Sequence, residues 1–235
     1  MMFRYNAPMK LLAIETATEA CSAALWLDGE LLTRHQLAPR RHAELILPMM
    51  DQLLAEAGVG LNRLDALAFG RGPGSFTGVR IATGVIQGAA LGVDLPVVPV
   101  STLATLAQGA FRIHGERRVL AAFDARMGEL YWGAFQAGQD GLVEVQQHEC
   151  VAGVDALPLP RGEGWFGAGS GWEAYGSALS QRLGPALRGV DSKLLCDAED
   201  LARLAVTAFE RGDGVAADQA LPVYLRDQVA KKSRA

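Results

Sequence analysis

The chain has little cysteine, few histidines, no excess of positive charge and no long apolar run, and each shortage removes a class of function. Its three cysteines, Cys21, Cys150 and Cys196, lie far apart and form no Cys-x-x-Cys pair. An odd, scattered set excludes a disulfide framework and a zinc knuckle, and suits the reducing cytoplasm. The four histidines, His35, His42, His114 and His148, offer no i, i+4 pair for a helical metal site. Lysine and arginine number 22 against 26 acidic residues, for a net charge of -4, and the only local basic excess is Lys231, Lys232 and Arg234, read as a solvated end. An unaided RNA-binding protein normally carries a basic stripe, so tight RNA binding by this chain alone is not expected. Apolar runs are broken by charge or glycine short of 18 residues, so no membrane span is expected. Residues 1–8 contain Arg4 and no apolar h-region, and so do not read as a secretory signal. With half of its 235 residues apolar, the chain can bury a core without staples, as one large domain or two small ones.

The stretch from Asp65 to Gly92 organises the rest. Ala66 to Phe69 fits a short buried strand, Gly70-Arg-Gly-Pro-Gly-Ser-Phe76 a loop, and Thr77 to Gly92, with Arg80 as its only charge, four turns of helix. Glycines admit close backbone approach, and a loop feeding a helix N-terminus offers N–H groups to an anion, which makes Gly72, Gly74 and Ser75 candidate nucleotide contacts. The known phosphate loops do not match. Gly78 is followed by Val79 rather than the Walker lysine, and Gly72, Gly74, Gly78 has one residue too many for the dinucleotide fingerprint. Ser75 is no nucleophile elbow, because Pro73 and Thr77 stand where glycines are needed. The plain alternative is a tight strand-to-helix turn without a ligand.

Upstream, Lys10 to Ile14 and Cys21 to Leu27 read as strands, the second turning at Asp28-Gly29 and returning through Glu30 to Leu37. Between them Glu15, Thr16 and Thr18 put a carboxylate and two hydroxyls at a strand end, where a nucleotide phosphate or its metal could be met; alternatively the threonines bond their own turn. A helix follows from His42 to Ala57, with His42 expected in a solvated first turn. Downstream come a strand at Pro96 to Val100, a helix capped by Ser101, strands at Val119 to Phe123 and Gly128 to Phe135, a strand at Gly164 to Ala168 with a helix after Gly169-Ser170-Gly171, and a helix from Asp197 to Arg211. The pattern starting at Lys10 echoes again from Arg117. Two lobes of similar topology with a cleft are therefore expected, over residues 9–110 and 111–235, with the last helix and tail packing back on the body.

Two helices suggest an interface. His42 to Ala57 carries Ile46, Met49, Met50 and Leu53 on one face and Leu45 and Leu47 toward a second, and a helix apolar on two sides is buried twice. Gly84, Gly88 and Gly92 recur every fourth residue, each costing about 1 kcal/mol of helix propensity relative to alanine, so close approach of another helix is expected to offset them. Leu45, Met49, Met50, Leu53, Arg80, Gly84 and Gly88 are the candidate partner-interface residues; a contact inside the monomer is the plain alternative.

Four segments, Lys10-Leu-Leu-Ala-Ile-Glu-Thr-Ala-Thr-Glu-Ala-Cys-Ser-Ala-Ala-Leu, Gly70-Arg-Gly-Pro-Gly-Ser-Phe-Thr-Gly-Val-Arg-Ile, Phe123-Asp-Ala-Arg-Met-Gly-Glu-Leu-Tyr and Leu221-Pro-Val-Tyr-Leu-Arg, resemble the bacterial TsaB (YeaZ) family, in the same order over nearly the whole chain. The resemblance implies an α/β, two-lobed actin and Hsp70-like ATPase (ASKHA) fold, each lobe a mixed sheet flanked by helices. It implies a role in making threonylcarbamoyladenosine at position 37 of tRNAs that read codons starting with A. The implied partners are the larger transferase paralogue TsaD and the ATPase TsaE, with tRNA met through the complex and a homodimer when the chain is alone. In the catalytic paralogue a His-x-x-x-His pair binds metal; here Thr102 and Leu106 hold the matching positions, so no metal site is expected. No cofactor is expected to bind tightly, although ATP or ADP at the lobe cleft or subunit interface stays open. Three readings follow: a non-catalytic subunit that holds the transferase active, an independent ATPase or kinase with Glu15 and Asp124 near magnesium, and a peptidase, for which no activated nucleophile is found.

Overall fold

The computed structural model describes residues 9–226; the basic tail residues Lys231, Lys232 and Arg234 lie outside them. The first lobe begins as a meander. β1 (Lys10–Glu15), β2 (Ala20–Leu27) and β3 (Glu30–Leu37) pair antiparallel, with Asp28 and Gly29 taking positive φ at the β2–β3 turn. α1 (His42–Ala57) leads to β4 (Ala66–Gly70), and α2 (Phe76–Val93) leads to β5 (Val97–Val100). The sheet order is β3-β2-β1-β4-β5, with β4 parallel to both β1 and β5.

α3 (Thr102–His114), capped by the Ser101 hydroxyl, crosses to the second lobe. There β6 (Arg118–Arg126), β7 (Glu129–Ala137) and β8 (Val143–Gly153) form another meander, followed by β9 (Trp165–Ala168), α4 (Ser170–Leu183), β10 (Leu187–Asp191) and α5 (Ala198–Glu210). Its sheet runs β8-β7-β6-β9-β10, with β9 parallel to β6 and β10, so the topology of the first lobe is repeated strand for strand. The sequence echo from Arg117 is this repeat. β10 was absent from the sequence reading because its Leu187-Arg-Gly-Val-Asp stretch is short, alternates weakly and is bulged at Gly189.

Apolar alternation dictates four packed sheet faces. The outer face of the first sheet, through Leu12, Ile14, Leu67 and Phe69, packs on α1 and α2. Its inner face, through Leu11, Ala13, Ala24 and Val98, packs on Leu201, Ala202 and Ala205 of α5. In the second sheet Val119 and Ala121 face Leu103, Leu106 and Ala107 of α3, while Leu120 and Trp132 face Trp172 and Leu179 of α4. The two lobes therefore exchange their inner helices: α3 follows the first sheet in sequence and packs on the second, and α5 does the reverse. A division at residue 110 cuts through α3, whose buried residues run from Thr102 to Ala110. Where α3 and α5 meet, Arg112 donates bidentately to Asp200 at 2.7 and 2.8 Å. Burial pushes the Asp200 carboxyl up to about 6 despite the opposing pull of Arg112.

The C-terminal segment closes the molecule as a strap. The Val223 N–H donates to the Arg71 carbonyl at 2.8 Å, Gln87 of α2 reaches the Ala220 carbonyl at 3.1 Å, and Arg226 pairs with Glu129 of the second lobe.

Candidate functional site

The glycine loop and the turn after β1 are folded into each other. A side-chain carbon at Gly78 would stand 2.0 Å from the Thr16 carbonyl oxygen, and one at Gly74 would stand 2.8 Å from that of Ala17. Here glycine serves close backbone approach. Three of the loop's donors are spent within the chain: the Ser75 N–H goes to the Ala17 carbonyl at 2.9 Å, Gly72 N–H to Thr102 Oγ1 at 3.1 Å, and Gly78 N–H to Ser75 Oγ at 3.3 Å. Thr16 Oγ1 donates to the Gly78 carbonyl at 2.7 Å. Ser75 is thus the N-cap of α2, and Thr16 ties the loop to the β1–β2 turn. Gly72, at φ +97°, lies under the strap, where an added carbon would stand 2.9 Å from the Val223 carbonyl oxygen.

Glu15 is fully buried. Its Oε1 accepts from the Ala17 N–H at 2.6 Å, while Oε2 has no hydrogen-bond partner among the described residues and fills the space above Gly70. Burial raises its carboxyl from 4.5 to about 7, so it carries a proton for part of the time at neutral pH. The buried Thr18 Oγ1 also lacks a partner. Asp124, in the matching region of the second lobe, is occupied locally: it accepts from the Arg126 N–H at 2.8 Å and meets its guanidinium at 3.1 Å, bracing a turn where Arg126 and Met127 take positive φ. Among the described residues no three His, Cys, Asp or Glu side chains come together as a metal-ligand group. Thr102 and Leu106 are both buried, Thr102 supporting Gly72 and Leu106 in the core of the second lobe.

His42 corrects the expectation of a solvated first turn. It is buried, and its Nε2 lies 2.9 Å from the Thr18 carbonyl and 3.2 Å from that of Ala20, pinning the β1–β2 turn onto α1. A lone histidine between Arg41 and Ala43 carries no sequence signal of a contact made with residues some twenty positions away.

On the outer surface the two helices divide differently from the sequence reading. Met49, Met50 and Leu53 are 6%, 3% and 0% exposed and belong to the chain's own core, with Leu45 packed partly against it. Met49, Met50 and Leu53 are therefore spent on the chain's own sheet, whereas Leu45 is only half-buried. The outward apolar residue of α1 is Leu47, 51% exposed. On α2, by contrast, Val79, Ala82, Ile86 and Ala90 face inward while Arg80, Gly84, Gly88, Leu91 and Gly92 are exposed. A side-chain carbon added at Gly84, Gly88 or Gly92 would meet nothing within 4 Å, so no contact among the described residues explains the stripe. At 18 residues and a mean hydropathy of 1.3, α2 is long and apolar enough to cross a membrane by length and composition. In this fold its first turn is instead locked to the β1–β2 turn, and its inward side to the sheet.

Residues 35–165 match the family model described as TsaD, tRNA N6-adenosine threonylcarbamoyltransferase. The chain is 47% identical to the tRNA threonylcarbamoyladenosine biosynthesis protein TsaB of Escherichia coli K12, over 95% of this chain and 97% of that protein. It is 41% identical to TsaB of Haemophilus influenzae, over 95% and 96% respectively. The solved structure titled YeaZ from Pseudomonas aeruginosa superposes with a TM-score of 0.86 at 51% identity, covering 92% of this chain and 100% of that one. With near-complete coverage, this identity and the doubled five-stranded topology, the chain belongs to the TsaB (YeaZ) family.

Proposed function

We propose that this chain is a non-catalytic subunit in the formation of threonylcarbamoyladenosine at position 37 of tRNAs reading codons that start with A, and that it holds a TsaD-type transferase in its active form. The observation that carries the reading is the exposed glycine and leucine face of α2, which nothing among the described residues covers. Helices that meet through glycines approach closely, and such a contact offsets the propensity cost of the stripe. The interior supports the non-catalytic part, because the N–H groups of Gly72, Ser75 and Gly78, the Thr16 hydroxyl and the Asp124 carboxylate are engaged within the chain. A weak ATP or ADP contact is retained in this reading only at the lobe cleft or the subunit interface. A TsaE-type ATPase completes the assembly, the chain alone pairs with itself through the same face, and the three free cysteines suit a cytoplasmic setting. Because the net charge is -4, the partner is assigned most of the tRNA phosphate contacts.

Reconstitution tests this directly. With transferase-type and ATPase-type partners, the threonylcarbamoyl-adenylate synthase and tRNA, modification is expected to collapse when this chain is left out. Undiminished modification without it would contradict the reading. Magnesium-dependent ATP turnover by the isolated chain, abolished by Asp124→Ala, would favour the ATPase alternative instead.

A further inference from the structure

Arg80 is the only ionised side chain on the exposed face of α2, which bears no Asp or Glu. Its guanidinium is held in place. The Cζ atom lies 3.7 Å from the Phe76 ring centroid, and Nε donates to the Tyr224 hydroxyl at 3.0 Å. Phe76 and Tyr224 are themselves 57% and 44% exposed, with their rings 5.8 Å apart. Arg34, Arg71, Arg112 and Arg226 each meet a carboxylate, whereas the guanidinium of Arg80 reaches none among the described residues. Two aromatic rings kept at the surface thus fix a cation whose outer fork stays uncommitted. That is preorganisation for a planar anionic acceptor, since a guanidinium already immobilised loses less freedom when it binds.

Resting on the docking reading above, we propose that Arg80 reads the charge of the docked partner: its Nη groups receive the carboxylate of an Asp or Glu on a helix of the transferase-type chain, one that lays small residues against Gly84 and Gly88. The specificity follows from the setting. On an otherwise uncharged face a partner carboxylate placed elsewhere stays unpaired, and a partner without one leaves Arg80 desolvated and unpaired, so register and identity are both selected. Tyr224 belongs to the strap that Val223 ties to Arg71 and Arg226 ties to Glu129, which makes the position of Arg80 answer to both lobes.

The test is titration of the purified chain with the purified transferase-type paralogue at low and high salt, with melting temperatures as controls. Arg80→Gln is expected to weaken binding by about tenfold and to flatten its salt dependence. Arg80→Lys should keep the salt dependence without restoring full affinity, and Tyr224→Phe should cost less than Arg80→Gln. Wild-type affinity and salt slope in Arg80→Gln, with binding lost in Gly88→Leu, would overturn the carboxylate contact and leave the docking face standing. Unchanged binding in both variants would overturn the docking face and this inference together. Loss of self-association alone in Arg80→Gln would make a second copy the owner of the carboxylate, and a lowered melting temperature with an intact salt slope would make Arg80 merely structural; either result contradicts the proposal.

Discussion

α2 and α4 occupy the same place in two sheets of the same topology, each joining the fourth strand to the fifth, yet their outer faces differ in chemistry. α4 shows solvent Glu173, Ser177, Ser180 and Gln181, the polar face of an ordinary surface helix. α2 shows Gly84, Gly88, Leu91 and Gly92 with a single arginine. Topology therefore dictates the buried side of each helix and leaves the outer side free. The outer side of α2 has the composition of a surface that is covered in use, and the repeat supplies its own control.

The largest expected effect separates the two sets of glycines within α2. Gly78→Ala drives a carbon to 2.0 Å from a backbone oxygen and should destabilise the chain by about 3 kcal/mol or more, read as a fall in denaturant midpoint. If Gly78→Ala melted like the wild type, the interlocked loop and turn would be wrong.

Next comes the buried carboxyl beneath the loop. Because burial raises Glu15 from 4.5 to about 7, the folded chain holds this proton more tightly than the unfolded one. Its contribution is complete below pH 4.5 and is lost as pH rises through 7. Relative to Glu15→Gln, the wild type should lose up to about 3 kcal/mol between mildly acidic and mildly alkaline pH. Parallel stability curves for the two proteins across that range would mean that Glu15 is solvated.

The smallest effect compares open positions on the two equivalent helices. Neither Gly84 nor Gly176 of α4 has anything within 4 Å of an added carbon. Gly84→Ala and Gly176→Ala should each stabilise the isolated chain by up to about 1 kcal/mol, a rise of a few degrees in melting temperature. Destabilisation by Gly84→Ala would show that the stripe is covered by its own chain.

Much of this architecture was legible in the residues. Alternation, the Asp28-Gly29 turn and the cap at Ser101 are local signals, and they placed the meanders and the start of α3. What stayed hidden depends on distant pairing. The spacing of Met49, Met50 and Leu53 correctly marked one helix face as apolar, but periodicity alone cannot say whether a face meets its own sheet or another chain. Gly78 and Gly84 sit in one helix with the same residue type, and only the fold reveals that the first touches Thr16 while the second touches nothing. The hydroxyl of Tyr224 reaches Arg80 across 144 positions, a contact for which neither residue carries a sequence signature.

The central claim is that the bare side of α2 is a docking face, and Gly88→Leu tests it most directly. A carbon added at Gly88 meets nothing within 4 Å among the described residues, yet a branched side chain there would stand between two closely approaching helices. Binding to the transferase-type paralogue should weaken by about tenfold or more while the melting temperature holds or rises, and Gly176→Leu on α4 should leave binding unchanged. A Gly88→Leu chain that melts well below the wild type and still binds and supports tRNA modification at full strength would contradict the account.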